Sequence, residues 1–219
     1  MDAVTTEHAE PEPVGLRERR RLETQREVSD AALALFERKG VGATTVDDIA
    51  HAAGISPRTF FRYFPAKEHA VFLDDPEGDL LVRAALAALR GGATPAAAVE
   101  EGWRAIFAAF EADPEGRRRA RRVRHVIFTE PAILAVALRR DADQASELAE
   151  ALSAEAQTDP VRMRVLVEVF GAAARQAFNE WARRQDAGEP APVDDIWLDL
   201  RRGLVDFAQH IENPALPAS

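Results

Sequence analysis

Prolines recur along the chain at positions 57, 95, 114, 131, 160 and 192, and most of them follow Ser, Thr or Asp, while Asp75-Pro76 and Gly78 mark a break. Proline lacks the N–H that a first helical turn leaves unused, and its fixed φ suits that turn. A Ser, Thr or Asp just before it can accept from the free N–H groups behind it. The pattern therefore reads as a series of helix starts. Between these starts the apolar residues recur every three to four positions, and no stretch alternates with period two. The chain is expected to be all-α, with roughly nine to ten helices. The first ends near Lys39, before Gly40, and the later ones cover about 80–90, 95–112, 114–129, 131–157, 160–185 and 192–212.

The most informative stretch is Thr44 to Phe64, TTVDDIAHAAGISPRTFFRYF. Thr44 is placed to N-cap a short helix, with Asp47 closing a capping box. Gly54 suits a turn with positive φ. Ser56 and Pro57 open a second short helix, which Phe60, Phe61 and Phe64 are expected to bury. Arg58, Thr59, Arg62 and Tyr63 then face elsewhere. Two short helices joined by a glycine turn form a helix-turn-helix, whose second helix can enter a DNA major groove.

The segments ALALFERKG (32–40), TTVDDIAHAAGIS (44–56) and TFFRYFPAKE (59–68) occur in this order and spacing. Together they resemble the N-terminal domain of the TetR family of bacterial transcriptional regulators, over Leu16 to Phe72. The resemblance implies a three-helix DNA-binding domain followed by a larger helical domain for ligand binding and dimerisation. It implies backbone contacts from Thr45, Tyr63 and Lys67, and base contacts from Arg58 and Thr59. Many relatives carry Leu-Tyr where this chain has Phe60-Phe61, so a phosphate contact through a hydroxyl is missing here. The recognition stretch and RHVIFTEPAILAVAL (124–138) also resemble a subgroup that includes mycofactocin-system regulators, associated with acyl-coenzyme A-like ligands.

The 219 residues suffice for one large or two small domains with a real core. The expected division is a disordered arm over 1–14, a DNA-binding domain over 15–66, a helical domain over 67–212 and a flexible tail over 213–219. Lys67 is expected to open the fourth helix, which links the domains. The chain has no cysteine, which excludes disulfides and thiolate chemistry, and its five histidines are too scattered for a zinc site. No apolar run approaches the roughly 20 residues that cross a bilayer, and the acidic N-terminus has no signal core. A cytoplasmic protein without metal or other cofactor is expected. The net charge of −9 argues against a DNA binder, but residues 15–72 hold ten basic against eight acidic residues. The local surface is what meets phosphate. Arg17, Arg19, Arg20 and Arg21, at the start of the first helix, are either a solvated helix end or a phosphate contact.

Arg117, Arg118, Arg119, Arg121, Arg122 and Arg124 crowd into eight residues. They read either as a solvated face offset by acids or as a pocket mouth in which Arg121 and Arg124 hold an anionic head group. Trp103, Phe107, Phe110, Ile127, Phe128 and Leu134 fall on the middle helices at inward spacings, as core or as the lining of an apolar ligand pocket. The stripes of the last two helices include Phe170, Ala174, Trp181, Leu200 and Leu204, which read either as core or as a face that meets a partner. By resemblance these helices form a four-helix bundle across a homodimer. The expected function is a regulator released from a palindromic DNA operator by a lipophilic effector, acting as a repressor, with an activator the variant that sequence does not separate. The alternative is a helical ligand carrier or enzyme without DNA binding. An enzyme is disfavoured because there is no nucleophile with its base and no Gly-rich phosphate loop, and because the paired acids are adjacent in sequence and diverge on a helix.

Overall fold

The computed structural model describes residues 15–73 and 76–212. Among the described residues there are nine α-helices and no strand: α1 (Leu16–Lys39), α2 (Val46–Ala52), α3 (Pro57–Tyr63), α4 (Pro76–Arg90), α5 (Pro95–Ala112), α6 (Pro114–Thr129), α7 (Pro131–Ala156), α8 (Pro160–Ala187) and α9 (Val193–Glu212). The proline punctuation sets these starts. Ser56, Thr94, Asp113 and Asp159 each accept a hydrogen bond from a backbone N–H of the following turn. Glu130 makes no such side-chain cap before α7. No described helix is long and apolar enough to cross a membrane.

The structure shifts two local expectations. The N-cap of α2 is Thr45, with Asp48 completing the capping box, rather than Thr44 with Asp47. The sequence TTVDD fits either register. Thr44 is fully buried and donates its hydroxyl to the Gly40 carbonyl at 2.8 Å, and Lys39 grips Asp48 at 2.8 Å. The second correction concerns Lys67, which opens a short 3-10 turn (Lys67–His69) and not an α-helix; α4 begins at Pro76.

The chain divides into two compact units after Leu73. Residues 67–73, which were expected to lead into the larger domain, belong to the first unit, with Ala70 and Val71 buried. The expected arm over 1–14 and tail over 213–219 lie outside the described residues.

In the first unit, Val28, Ala32, Leu35 and Phe36 of α1 are buried, as are Ile49 and Ala50 of α2 and Phe60 and Phe64 about α3. The phenylalanine reading is corrected here. Phe60 and Phe64 lie four apart and share a face, whereas Phe61 is turned about 100° away and is 57% exposed. In the second unit, one buried cluster joins Leu81 and Ala85 of α4 to Ile106 of α5, Leu148 of α7 and Val167 of α8. A second joins Phe107 and Phe110 of α5 to Ala174 and Trp181 of α8 and Trp197 of α9. Gly102 permits the tight approach of α4 and α5. A Cβ there would lie 2.9 Å from the Leu81 carbonyl oxygen.

Candidate DNA-binding surface and ligand cavity

In the first unit, Gly54 makes the turn between α2 and α3 with φ of 66°, in the left-handed region where a Cβ is strained. The turn sets α3 off from α2, and Ser56 fixes its start by accepting from the Thr59 N–H at 3.1 Å. Of the expected base readers, Arg58 is exposed. Thr59 is half-buried, and its hydroxyl is 2.9 Å from that of Ser56. Tyr63 is half-buried, accepts from Arg62 Nη2 at 3.1 Å, and has the Arg62 guanidinium 5.2 Å from its ring centre. Exposed Phe61 stands edge-on against Phe60, with centroids 5.5 Å apart. Because residues three apart are neighbours on a helix, Phe61 adjoins Arg58. Sequence reasoning had placed this ring in the core.

Thr45 is exposed at the start of α2. Its N–H and hydroxyl both donate to Asp48 Oδ2 at 2.8 Å. The hydrogen bond from Lys39, followed by those from Thr45, holds the Asp48 carboxyl well below the usual carboxylate range. The α2 start is thus fastened to the end of α1. Lys67 acts on the same loop. Its Nζ donates to the carbonyls of Val41 and Thr44, each at 2.8 Å. Two of its three N–H groups are therefore used within the unit. Lys67→Ala is expected to cost the unit about 1–3 kcal/mol, because two buried-side carbonyls lose a charged donor. Urea titration checks this, and an unchanged midpoint would rule out the bracing role.

The second unit holds a cavity of about 660 Å³ between α4, α5, α6, α7 and α8. Of the residues expected there, Trp103 and Phe110 line it. The other four do not. Phe107 and Ile127 are buried in packing, while Phe128 and Leu134 are 59% and 40% exposed. Helical spacing locates an apolar face but does not say whether another helix covers it. Phe178 and Trp181 of α8 complete the aromatic wall. The Phe110 ring meets both edge-on, at 5.0 and 4.9 Å between centroids. Helical spacing reads the α8 stripe as core or dimer face and does not mark Phe178 as a wall of the cavity.

The arginine run divides. Arg124 lines the cavity. Arg121 is exposed, pairs with Asp186 and does not line it, which corrects its assignment as a head-group holder. Arg117 pairs with Glu111 and Arg118 with Glu115. Most of the run is thus a solvated face offset by acids. Of the expected dimer residues, two take the core reading and three keep some exposed surface. Ala174 and Trp181 are buried within the unit. Phe170 packs on Trp197, with ring centroids 5.8 Å apart. Leu200 packs on the same cluster, and Leu204 is half-buried. The exposed apolar residues of α8 are instead Val161, Val165 and Val169, spaced four apart, at 70%, 57% and 45% exposure. Among the described residues no group of three His, Asp or Glu could hold a metal ion.

The described helix-turn-helix lies within residues 28–71, which match the model of bacterial regulatory proteins of the tetR family. Over most of its length the chain is 32% identical, across 196 residues, to the HTH-type transcriptional regulator TcmR of Streptomyces glaucescens, covering 85% of this chain and 87% of that one. The chain belongs to the TetR family. It is a DNA-binding transcriptional regulator rather than an enzyme. A protein of Mycobacterium tuberculosis named as a mycofactocin biosynthesis transcriptional regulator, MftR, is 51% identical over 49 residues, which is 22% of this chain and 25% of MftR. This partial match agrees with the resemblance to the mycofactocin subgroup. The crystal structure of the TetR-family repressor FadR of Thermus thermophilus, in complex with lauroyl-CoA, has the same fold. It has a TM-score of 0.51 at 18% identity, and the match covers 83% of this chain and 93% of FadR.

Proposed function

We propose that this regulator acts as a repressor, which binds a palindromic operator as a homodimer and leaves it when a lipophilic effector enters the cavity of the second unit. The observation that carries the effector reading is the cavity itself: about 660 Å³, walled by Trp103, Phe110, Phe178 and Trp181, with the guanidinium of Arg124 at its side. Pockets of this size with aromatic walls suit one drug-sized ligand. An acyl-coenzyme A ester is the first candidate, on the looser sequence resemblance.

At the operator, exposed Arg58 is assigned to a base edge, with guanine the usual partner, and Thr59 to the base beside it. Phe61 adds an apolar contact of the kind a thymine methyl takes. Thr45, Tyr63 and the remaining N–H of Lys67 are assigned to phosphates, with the exposed arginines at the start of α1 as a further phosphate contact. Arg58→Ala is expected to weaken a selected operator by about 1–3 kcal/mol and relax preference at one or two positions. Gel shifts across operator variants check it, and a uniform loss on every sequence would move Arg58 to the backbone.

The dimer face is assigned to the Val161, Val165 and Val169 stripe together with the outer side of α9. Val165→Glu is expected to give monomers in sedimentation and to lose operator binding, since two related recognition helices read two half-sites. A monomeric wild type would overturn the dimer. The function as a whole is tested with the DNA upstream of the protein's own gene, titrated with acyl-coenzyme A esters of several chain lengths. An effector is expected to lower operator affinity about 5–150-fold, and operator must lower effector affinity equally. No retardation of that DNA or of selected duplexes would overturn the operator reading. Equal effector affinity with and without operator would reject that compound.

A further inference from the structure

The cavity carries more charge than an apolar chain requires. Arg124 enters it from α6, Asp141 from α7 and Arg175 from α8. Arg175 Nη1 donates to Asp141 Oδ2 at 2.9 Å. Arg124 Nη1 donates at 2.9 Å to the neutral Asn179 Oδ1, and its guanidinium lies 5.4 Å from the centre of the Phe178 ring. Arg175 is thus paired with a carboxylate, whereas Arg124 is held by a neutral amide. Burial lowers the Arg124 pKa. Asp141 counters that penalty and the like charge of Arg175 adds to it. Glu168 also lines the cavity but is exposed, where solvent screens it.

A partly desolvated guanidinium held by a neutral amide can gain most from an anion that brings its own negative charge into the cavity. The planar fork suits a carboxylate, enolate or sulfonate. The rings of Trp103, Phe110, Phe178 and Trp181 offer faces and edges to a second ring system. We infer that Arg124 and Arg175 form a subsite for one anionic group on an aromatic effector, with Asp141 as the internal counter-ion until that group arrives. This rests on the reading of the cavity as the effector site, and narrows it. The acyl chain of a coenzyme A thioester carries no charge, since its anionic groups lie on the distant nucleotide portion. The free acid of an aromatic compound matches the subsite better than a thioester.

Two probes test this on the full chain: 8-anilinonaphthalene-1-sulfonate, and 1-anilinonaphthalene, which has the same rings without the sulfonate. Both brighten in apolar surroundings. The sulfonate is expected to bind roughly tenfold more tightly than the neutral probe, as a charge-assisted contact implies. Arg124→Met should remove that advantage and leave the neutral probe unaffected, which also shows that the cavity still forms. Asp141→Asn, which removes the competing carboxylate, should tighten sulfonate binding. Equal affinity of the two probes for wild type, an equal response of both to Arg124→Met, or weaker sulfonate binding by Asp141→Asn would overturn the subsite. If Arg124→Met does not fold, the wild-type ratio and Asp141→Asn decide. Sulfonate binding with these responses but without change in operator affinity would uphold the subsite and overturn the effector reading instead.

Discussion

Trp197→Ala is expected to destabilise the second unit by about 3–5 kcal/mol, the range for emptying a large aromatic site. That is a large share of the roughly 5–15 kcal/mol that holds a domain folded. Trp197 has no exposed surface and is among the largest fully buried side chains. Its ring lies 5.5 Å from that of Phe107 and 5.8 Å from that of Phe170, joining α9 to α5 and α8. Phe107 in turn contacts Phe178, a wall of the cavity. Loss of the indole should therefore weaken probe binding as well as lower the denaturation midpoint. Among the described residues its Nε1–H has no acceptor, so Trp197→Phe removes an unsatisfied donor along with part of the ring. The phenylalanine variant should lose much less stability than the alanine variant. All three tryptophans, at 103, 181 and 197, lie in this unit, so tryptophan emission during urea titration follows it. Equal midpoints for wild type and Trp197→Ala would show that the site collapses without cost.

Phe60→Ala is expected to have a comparable effect in the first unit, about 3–5 kcal/mol, with a different functional result. Phe60 is fully buried on the recognition helix, edge-on to Phe61 and tilted against Phe64 at 5.7 Å. This unit is small, and small domains bury less of their surface and have less stability to lose. The variant should lose operator binding while retaining the tryptophan unfolding transition and probe affinity of the second unit. The paired measurement is a gel shift beside a tryptophan-monitored titration. Operator binding at the wild-type level would mean that α3 holds its place without its buried anchor.

The sequence by itself determined the helical class, nearly every helix start and the helix-turn-helix. Each of these is a local matter. A Ser, Thr or Asp before proline states its own N-cap, and a 3.6-residue apolar period states its own face. The family was legible for the same reason, because its motifs sit in one short stretch at fixed spacing. Tertiary structure decided whatever depended on which surface covers which. Thr44 and Thr45 are equivalent as caps until Lys39 chooses Asp48. Phe60 and Phe61 are equivalent until the core of the first unit takes one and leaves the other exposed. Lys67 looked like a helix start beside DNA, and the carbonyls of Val41 and Thr44 occupy most of its donors. In the second unit, Phe107, Ile127, Phe128 and Leu134 had the same apolar signature as Trp103 and Phe110, yet only the last two reach the cavity. Asp141 and Arg175 lie 34 residues apart, on different helices, and Arg124 faces them from a third. No local pattern marks such a grouping, because the helix packing that brings these charges together also decides how much water they keep.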